Sequence, residues 1–184
     1  RQMCIRDRVY IMRNLLVVVD MQNDFIDGSL GTKEAVAIVD NVIAEIAKYD
    51  TKDIFATRDT HPENYLETQE GKNLPVVHCV KETDGWQINE KVKTALKDAV
   101  VIDKPTFGSK ILAEEITKIA EKEDITVTLV GLCTDICVVS NAILIKAYVP
   151  EIPVKVIASC CAGVTPESHE AALATMRMCQ VQVE

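Results

Sequence analysis

Leu15 to Val19 is an unbroken, valine-rich apolar run that stops at Asp20. A strand apolar on both faces has no solvent side, so it belongs inside a parallel sheet covered by helices above and below. The chain supplies those helices. Ala35, Ile38, Val39, Val42, Ile43 and Ile46 recur at helical spacing and form one apolar face about three turns long. Asp53 to Thr57 predicts a second strand, followed by a polar stretch from Arg58 to Asn89 without a long periodic segment. Order resumes with a strand Val100 to Asp103, a helix Ser109 to Lys122, a strand Thr126 to Gly131 and an apolar helix Asp135 to Tyr148. Pro153 to Ser159 predicts a further strand. Thr165-Pro166 opens a last helix with threonine at the cap and proline at the first helical position, and Gln180 to Val183 adds an edge strand. This alternation predicts an α/β fold: a three-layer α/β/α arrangement around an open, mainly parallel sheet with right-handed crossovers. At 184 residues the chain has room for one such domain.

The first residues are set apart, because Gln2-Met3-Cys4-Ile5-Arg6-Asp7-Arg8 reads as a translated sequencing-library adaptor. Residues 1–11 are therefore expected to be non-native, and residues 12–184 to form the domain, with a natural start at Met12. A net charge of −8 gives no basic stripe for phosphate backbones or anionic lipid, so nucleic-acid and membrane roles are not expected. Small neutral or cationic ligands fit better. No apolar run reaches the roughly 18 to 20 residues of a membrane-spanning helix, and a cytoplasmic location is expected. Seven cysteines in a long, apolar chain are expected to be reduced, with Cys79, Cys160, Cys161 and Cys179 acting as small hydrophobes.

Ligands of open α/β sheets bind beyond the carboxyl ends of the strands. Three strand ends carry chemistry: Asp20, Asp103-Lys104, and the segment Cys133 to Cys137. With Thr134 as the cap, Cys137 falls at the third helical position, where free amides and the positive helix end favour a thiolate able to attack a carbonyl. A buried structural cysteine is the competing reading. Asp20 can take the thiol proton and pass it to a departing amine, and Lys104 can stabilise a developing anion. A strand-end cap and a surface ion pair are the alternatives for these two.

Asp20-Met21-Gln22-Asn23-Asp24-Phe25, Arg58-Asp59-Thr60-His61, Asp103-Lys104-Pro105 and Gly131-Leu132-Cys133-Thr134-Asp135-Ile136-Cys137-Val138 resemble the signature blocks of isochorismatase-like cysteine hydrolases, especially their nicotinamidase branch. The resemblance spans Met12 to the C-terminus. It implies a triad of Asp20, Lys104 and Cys137 that cleaves a small carboxamide through a thioester, nicotinamide being the first expectation. Such a reaction would belong to pyridine-nucleotide salvage and NAD biosynthesis. The resemblance also implies a cis peptide at Leu132-Cys133 that turns the Cys133 amide inward, to form an oxyanion hole with the amide of Cys137. True isochorismatases lack the nucleophilic cysteine, so Cys137 argues against vinyl-ether hydrolysis. A related amidase acting on a carbamoyl or ureido substrate, and a noncatalytic ligand-binding member, are the other readings.

Asp59 and His61 lie two residues apart beyond a strand, so both can face one way. His78 follows in the same polar stretch, which holds two of the chain's three histidines. The resemblance implies a divalent metal held by Asp59, His61, His78 and one more ligand. Glu70, standing before Gly71, where the backbone can turn sharply, is chosen over Glu67 and Glu63. Two histidines and two carboxylates suit zinc, and also iron or manganese. The metal would hold a pyridine nitrogen and orient the carboxamide toward Cys137. Phe25 and Trp86 are expected as apolar walls for a flat ring, with core packing as their alternative. His169, near the start of the last helix, is expected to be a surface or cap-region residue and is assigned no role. A homo-oligomer is left open.

Overall fold

Strand β1 (Arg13–Val19) carries the central apolar run in the computed structural model, which describes residues 12–184. The expected adaptor segment and Cys4 lie outside the described residues. The remaining strands are β2 (Ile54–Asp59), β3 (Val100–Lys104), β4 (Ile125–Leu132), β5 (Val154–Ala162) and β6 (Gln182–Val183). They form one sheet in the order β3-β2-β1-β4-β5-β6, and every neighbouring pair is parallel. The chain builds outward from β1 through β2 to β3, then returns to start the other half at β4. The reversal opens a crevice between the carboxyl ends of β1 and β4.

The helices are α1 (Asn23–Ile26), α2 (Lys33–Ile46), α3 (Gln69–Asn73), α4 (Glu90–Leu96), α5 (Lys110–Ala120), α6 (Val139–Tyr148) and α7 (Pro166–Met178). Alternate residues of β1 serve opposite layers, as the pleat dictates. Leu16 and Val18 pack with Ile38, Val42 and Ile46 of α2 and with Val92 and Leu96 of α4. Leu15, Val17 and Val19 pack with Leu112 and Ile116 of α5, Ala142 and Ile145 of α6, and Leu173 and Met176 of α7. The adjacent pair Cys160 and Cys161 splits the same way, one into each layer. All six cysteines of the described residues are free thiols. Cys179 is exposed rather than packed as a hydrophobe, because the chain leaves α7 there. No helix among the described residues is long and apolar enough to cross a membrane.

Two local features depart from the sequence expectation. The polar stretch contains the five-residue helix α3, capped by Thr68, and is followed by the short helix α4, capped by Asn89; α3 is too short, and the two buried apolar residues of α4, Val92 and Leu96, are too few, to make a periodic signal. The helix expected from Asp135 begins instead as a π-turn, Thr134–Val138, with Cys133 as its cap, and becomes regular only at α6. Val138 N–H reaches back to the Cys133 carbonyl at 3.0 Å, the wider spacing that defines the turn.

Candidate active site

Asp20, Lys104 and Cys137 come from the ends of three different strands and meet in the crevice. Asp20 leaves β1 with a left-handed φ of 46°. Thr57 of β2 holds it there: its hydroxyl donates to Asp20 Oδ1 at 2.6 Å, and its backbone carbonyl accepts from Asp20 N at 3.2 Å. Lys104 starts from the edge strand β3, in register with Asp59 of β2. Its long side chain places Nζ 2.7 Å from Asp20 Oδ2, a contact of charge rather than a directed hydrogen bond. The same ammonium donates to Cys137 Sγ at 3.3 Å. All three side chains are buried. Gly131 lets β4 approach β1 this closely, since a Cβ there would lie 2.1 Å from the Val19 carbonyl oxygen and its φ is +116°.

Burial decides the resting protonation. It pushes the Cys137 thiol well above its ordinary pKa, and the negative charge of Asp20 adds to the effect while Lys104 opposes it. The expectation that a helix end would favour a resting thiolate is therefore corrected. Cys137 is the fourth residue of the π-turn, fully desolvated and beside a carboxylate. Burial also lifts the Asp20 carboxyl, against the pull of Lys104. Burial works against the charge of Lys104, but the carboxylates of Asp20 and Asp59 outweigh it and hold the ammonium charged. A neutral thiol, a carboxylate of raised basicity and a fixed cation are the resting set.

The turn that carries the thiol is tied down on several sides. The Leu132-Cys133 peptide is cis, and the Cys133 carbonyl accepts from Ile136 N and Val138 N, straddling Cys137. Asn141 is buried one turn beyond. Its amide donates to the Cys137 carbonyl at 2.8 Å and to the Phe107 carbonyl at 3.2 Å, while its oxygen accepts from Ser109 N at 2.9 Å. Asn141 thus joins the turn that carries the Cys137 thiol to the loop that follows Lys104. Sequence reasoning missed it, because a single asparagine inside an apolar helix carries no motif. His169, near the start of α7, also reaches this turn: its Nδ1 lies 2.7 Å from Thr134 Oγ1.

Beside the thiol, Asp59, His61, Glu70 and His78 bring one ligand atom each to within 4.8 Å of one another. Asp59 ends β2, where Gln22 pins its backbone through both amide groups. His61 is held by a backbone bond from its N–H to Cys79, and Tyr65 packs against both imidazoles, tilted to His61 and edge-on to His78, at 4.7 and 4.9 Å between ring centroids. Glu70 enters from α3, which Thr68 caps and Gly71 lets lie against the backbone of Tyr65, 2.1 Å from where a Cβ would sit. Glycine there serves close approach rather than a sharp turn. Glu67 faces Asn64 and Glu63 is exposed, so neither joins the group.

The donor set fits a divalent ion. His78 Nδ1 contacts the Val76 carbonyl at 2.7 Å; a carbonyl only accepts, so the hydrogen sits on Nδ1 and the Nε2 lone pair faces the cluster. His61 Nε2 is buried without a directed hydrogen bond, although Asp59 Oδ2 is 2.9 Å away. Burial works against ionising either partner of that pair. Their mutual attraction wins, holding the Asp59 carboxyl below and the His61 imidazole above the usual values.

A cavity of about 620 Å³ opens between the two groups, and Cys137, Cys133, Asp59, Glu70 and His78 all line it. Phe25 is part of its wall and packs against His78 at 5.5 Å. Trp86 is not part of it. Its indole N–H donates to Thr60 at 2.8 Å and its face carries the Arg58 guanidinium at 3.6 Å, so it braces the Asp59 loop from behind. The second aromatic wall is Phe107, which sequence reasoning missed because it lies in a short loop without a pattern of its own.

Comparison with known proteins agrees with this geometry. The family model described as Isochorismatase domain matches residues 14–184. A nicotinamidase/pyrazinamidase of Mycobacterium tuberculosis is 27% identical over 91% of this chain and 96% of its own length. A nicotinamidase of Saccharomyces cerevisiae is 28% identical over 70% of this chain and 79% of its own. Among solved structures, a pyrazinamidase of Pyrococcus horikoshii in complex with zinc superposes with a TM-score of 0.76 at 28% identity, covering 94% of this chain and 98% of that one.

Proposed function

This chain belongs to the isochorismatase domain family and is an amidohydrolase, and we propose that it is of the nicotinamidase type, converting nicotinamide and water to nicotinate and ammonia through a thioester on Cys137. What supports the reading is one arrangement: the thiol and the Asp59, Glu70 and His78 donors line a single, largely apolar cavity. A flat neutral ring with a carboxamide at one end and a ring nitrogen at the other matches both groups at once.

In this reading Asp20 accepts the thiol proton as Cys137 Sγ attacks the carboxamide carbon. The carbonyl electrons move onto oxygen, which the backbone amides of Cys133 and Cys137 hold. The C–N bond then breaks, the amine takes the proton from Asp20, and ammonia leaves. Water gives a proton to Asp20 and attacks the thioester; the C–S bond breaks, and the thiol recovers its proton. Lys104 stays charged throughout, orienting Asp20 and offsetting negative charge on sulfur. Asp59, His61, Glu70 and His78 would hold a divalent ion, with zinc the first choice, which supplies a Lewis-acid contact for the pyridine nitrogen. Phe25 and Phe107 flank the ring. The product places the reaction in pyridine-nucleotide salvage.

Carbamoyl substrates that carry a carboxylate fit less well, because no lysine or arginine is among the described residues lining the cavity. Ammonia release measured across nicotinamide, benzamide and N-carbamoyl amino acids, with metal content determined on the same sample, tests the proposal. Turnover of the carbamoyl compounds without turnover of nicotinamide would overturn it.

A further inference from the structure

Thr134 is the first residue of the π-turn that carries Cys137, and its side chain is buried. Its hydroxyl meets His169 Nδ1 at 2.7 Å. The neighbouring Asp135 carboxylate accepts from Val164 N with both oxygens, each at 3.2 Å. Two successive residues of the turn are thus fastened to the segment that enters α7. That segment is itself rigid. Thr165 and Ser168 cap each other reciprocally, at 3.1 and 3.0 Å, with Pro166 at the first helical position. Gly163 allows the close approach, since a Cβ there would lie 2.9 Å from His169.

A π-turn needs such fastening. Its wide hydrogen bond, Val138 N to Cys133 O, competes with ordinary α spacing, and a slip of one residue would rotate the nucleophile by about 100° around the helix axis. Asn141 restrains the far side of Cys137 by its carbonyl. On the near side, Thr134 has its hydroxyl bond to α7.

We infer that His169 is a positioning residue: by holding Thr134 it keeps the turn in the register that aims Cys137 Sγ at the scissile carbonyl. The inference rests on the proposed role of Cys137 as nucleophile. His169 does not line the cavity, so removing its bond acts on the chemical step and leaves ring binding in place.

The test compares His169→Leu, which fills space without a polar atom, with His169→Asn, whose side-chain amide occupies the place of Nδ1. His169→Leu should lower kcat for nicotinamide by about 10- to 100-fold with KM within about twofold, and His169→Asn should restore most of the loss. In a Thr134→Val background, which removes the partner, His169→Leu should cost little more. The acylation burst with p-nitrophenyl acetate, an activated ester that needs no ring recognition, should follow the same ranking and vanish in Cys137→Ala. Wild-type kcat and burst in His169→Leu, or an equal loss in His169→Asn, would overturn the inference. If His169→Leu does not fold, the burst in Thr134→Val decides instead: a drop with retained fold supports the latch, and wild-type amplitude and rate refute it. An enzyme that ignores nicotinamide but keeps the ester ranking would defeat the proposed substrate and leave the latch standing.

Discussion

Lys104 Nζ stands 3.4 Å from Asp59 Oδ1, so the ammonium that pairs with Asp20 also touches the carboxylate at the heart of the donor cluster. The two halves of the site share one buried cation. Replacing it in Lys104→Met leaves the buried Asp20 carboxylate without its counter-charge and Asp59 with His61 alone, a change that costs about 3 to 5 kcal/mol when a buried pair is broken. Urea unfolding of metal-free protein should show that loss, alongside a kcat too low to measure. Lys104→Arg should not rescue, because the larger planar head has no room at a site with 1% exposure. Unchanged unfolding in Lys104→Met would show that the pairing is not structural.

Cys137→Ala deletes the nucleophile and little volume, so the protein should fold normally and lose about three or more orders of magnitude in turnover. Mass spectrometry of the unmutated chain with pyridine-3-carbaldehyde should place the adduct on Cys137. Cys133 also lines the cavity and burial likewise lifts its thiol, to about 12, but it is the sulfur of Cys137 that the Lys104 ammonium contacts, so Cys133 should stay unlabelled. An adduct on Cys133, with activity surviving Cys137→Ala, would reassign the nucleophile.

The pH profile follows from the raised carboxyl of Asp20, which burial lifts against the opposition of Lys104. Asp20 must be ionised to take the thiol proton. Activity therefore falls as pH drops through its folded value, which lies above the free-carboxylate reference of about 3.9. The Cys137 thiol, raised well above its ordinary range, adds no loss near the reference thiol value of about 8.5. A plot of kcat/KM against pH should thus show an acid limb displaced upward, belonging to the Asp20 and Cys137 pair as a unit. An acid limb at or below the free-carboxylate value would contradict the desolvated base.

Chelation should abolish nicotinamide turnover, and added zinc should restore it. Benzamide has the same ring and carboxamide but no ring nitrogen, so it should turn over much more slowly, with its carbonyl misaligned toward Cys137. His61→Ala and His78→Ala should lose bound metal, measured by elemental analysis, together with activity. Glu67→Ala should retain both, since Glu67 faces Asn64. Equal turnover of the two amides in metal-free protein would defeat the anchoring role while leaving the Cys137 chemistry intact.

The sequence by itself determined the layers of this protein and the strand ends that matter. Burial on both faces forces an apolar strand such as Leu15 to Val19, and burial on one face forces the helical stripe of α2, so these elements are written in local pattern. Asp20, Lys104 and Cys137 were legible as candidates because each follows an apolar run, although Val100 and Val101 ahead of Lys104 are exposed on the edge strand. Tertiary structure alone decided how they are charged and what holds them. A local reading gave Cys137 the benefit of a helix end, whereas complete desolvation beside Asp20 keeps it a thiol. Trp86 is aromatic and near the site in sequence, yet its indole went to Thr60 and Arg58 and left the ring wall to Phe107. The restraints of Asn141 and His169 join segments some thirty residues apart, and a contact of that span leaves no periodicity in the chain. Patterns record what a residue must be to bury its own element; partners brought together by the closing of the sheet are recorded only in the fold.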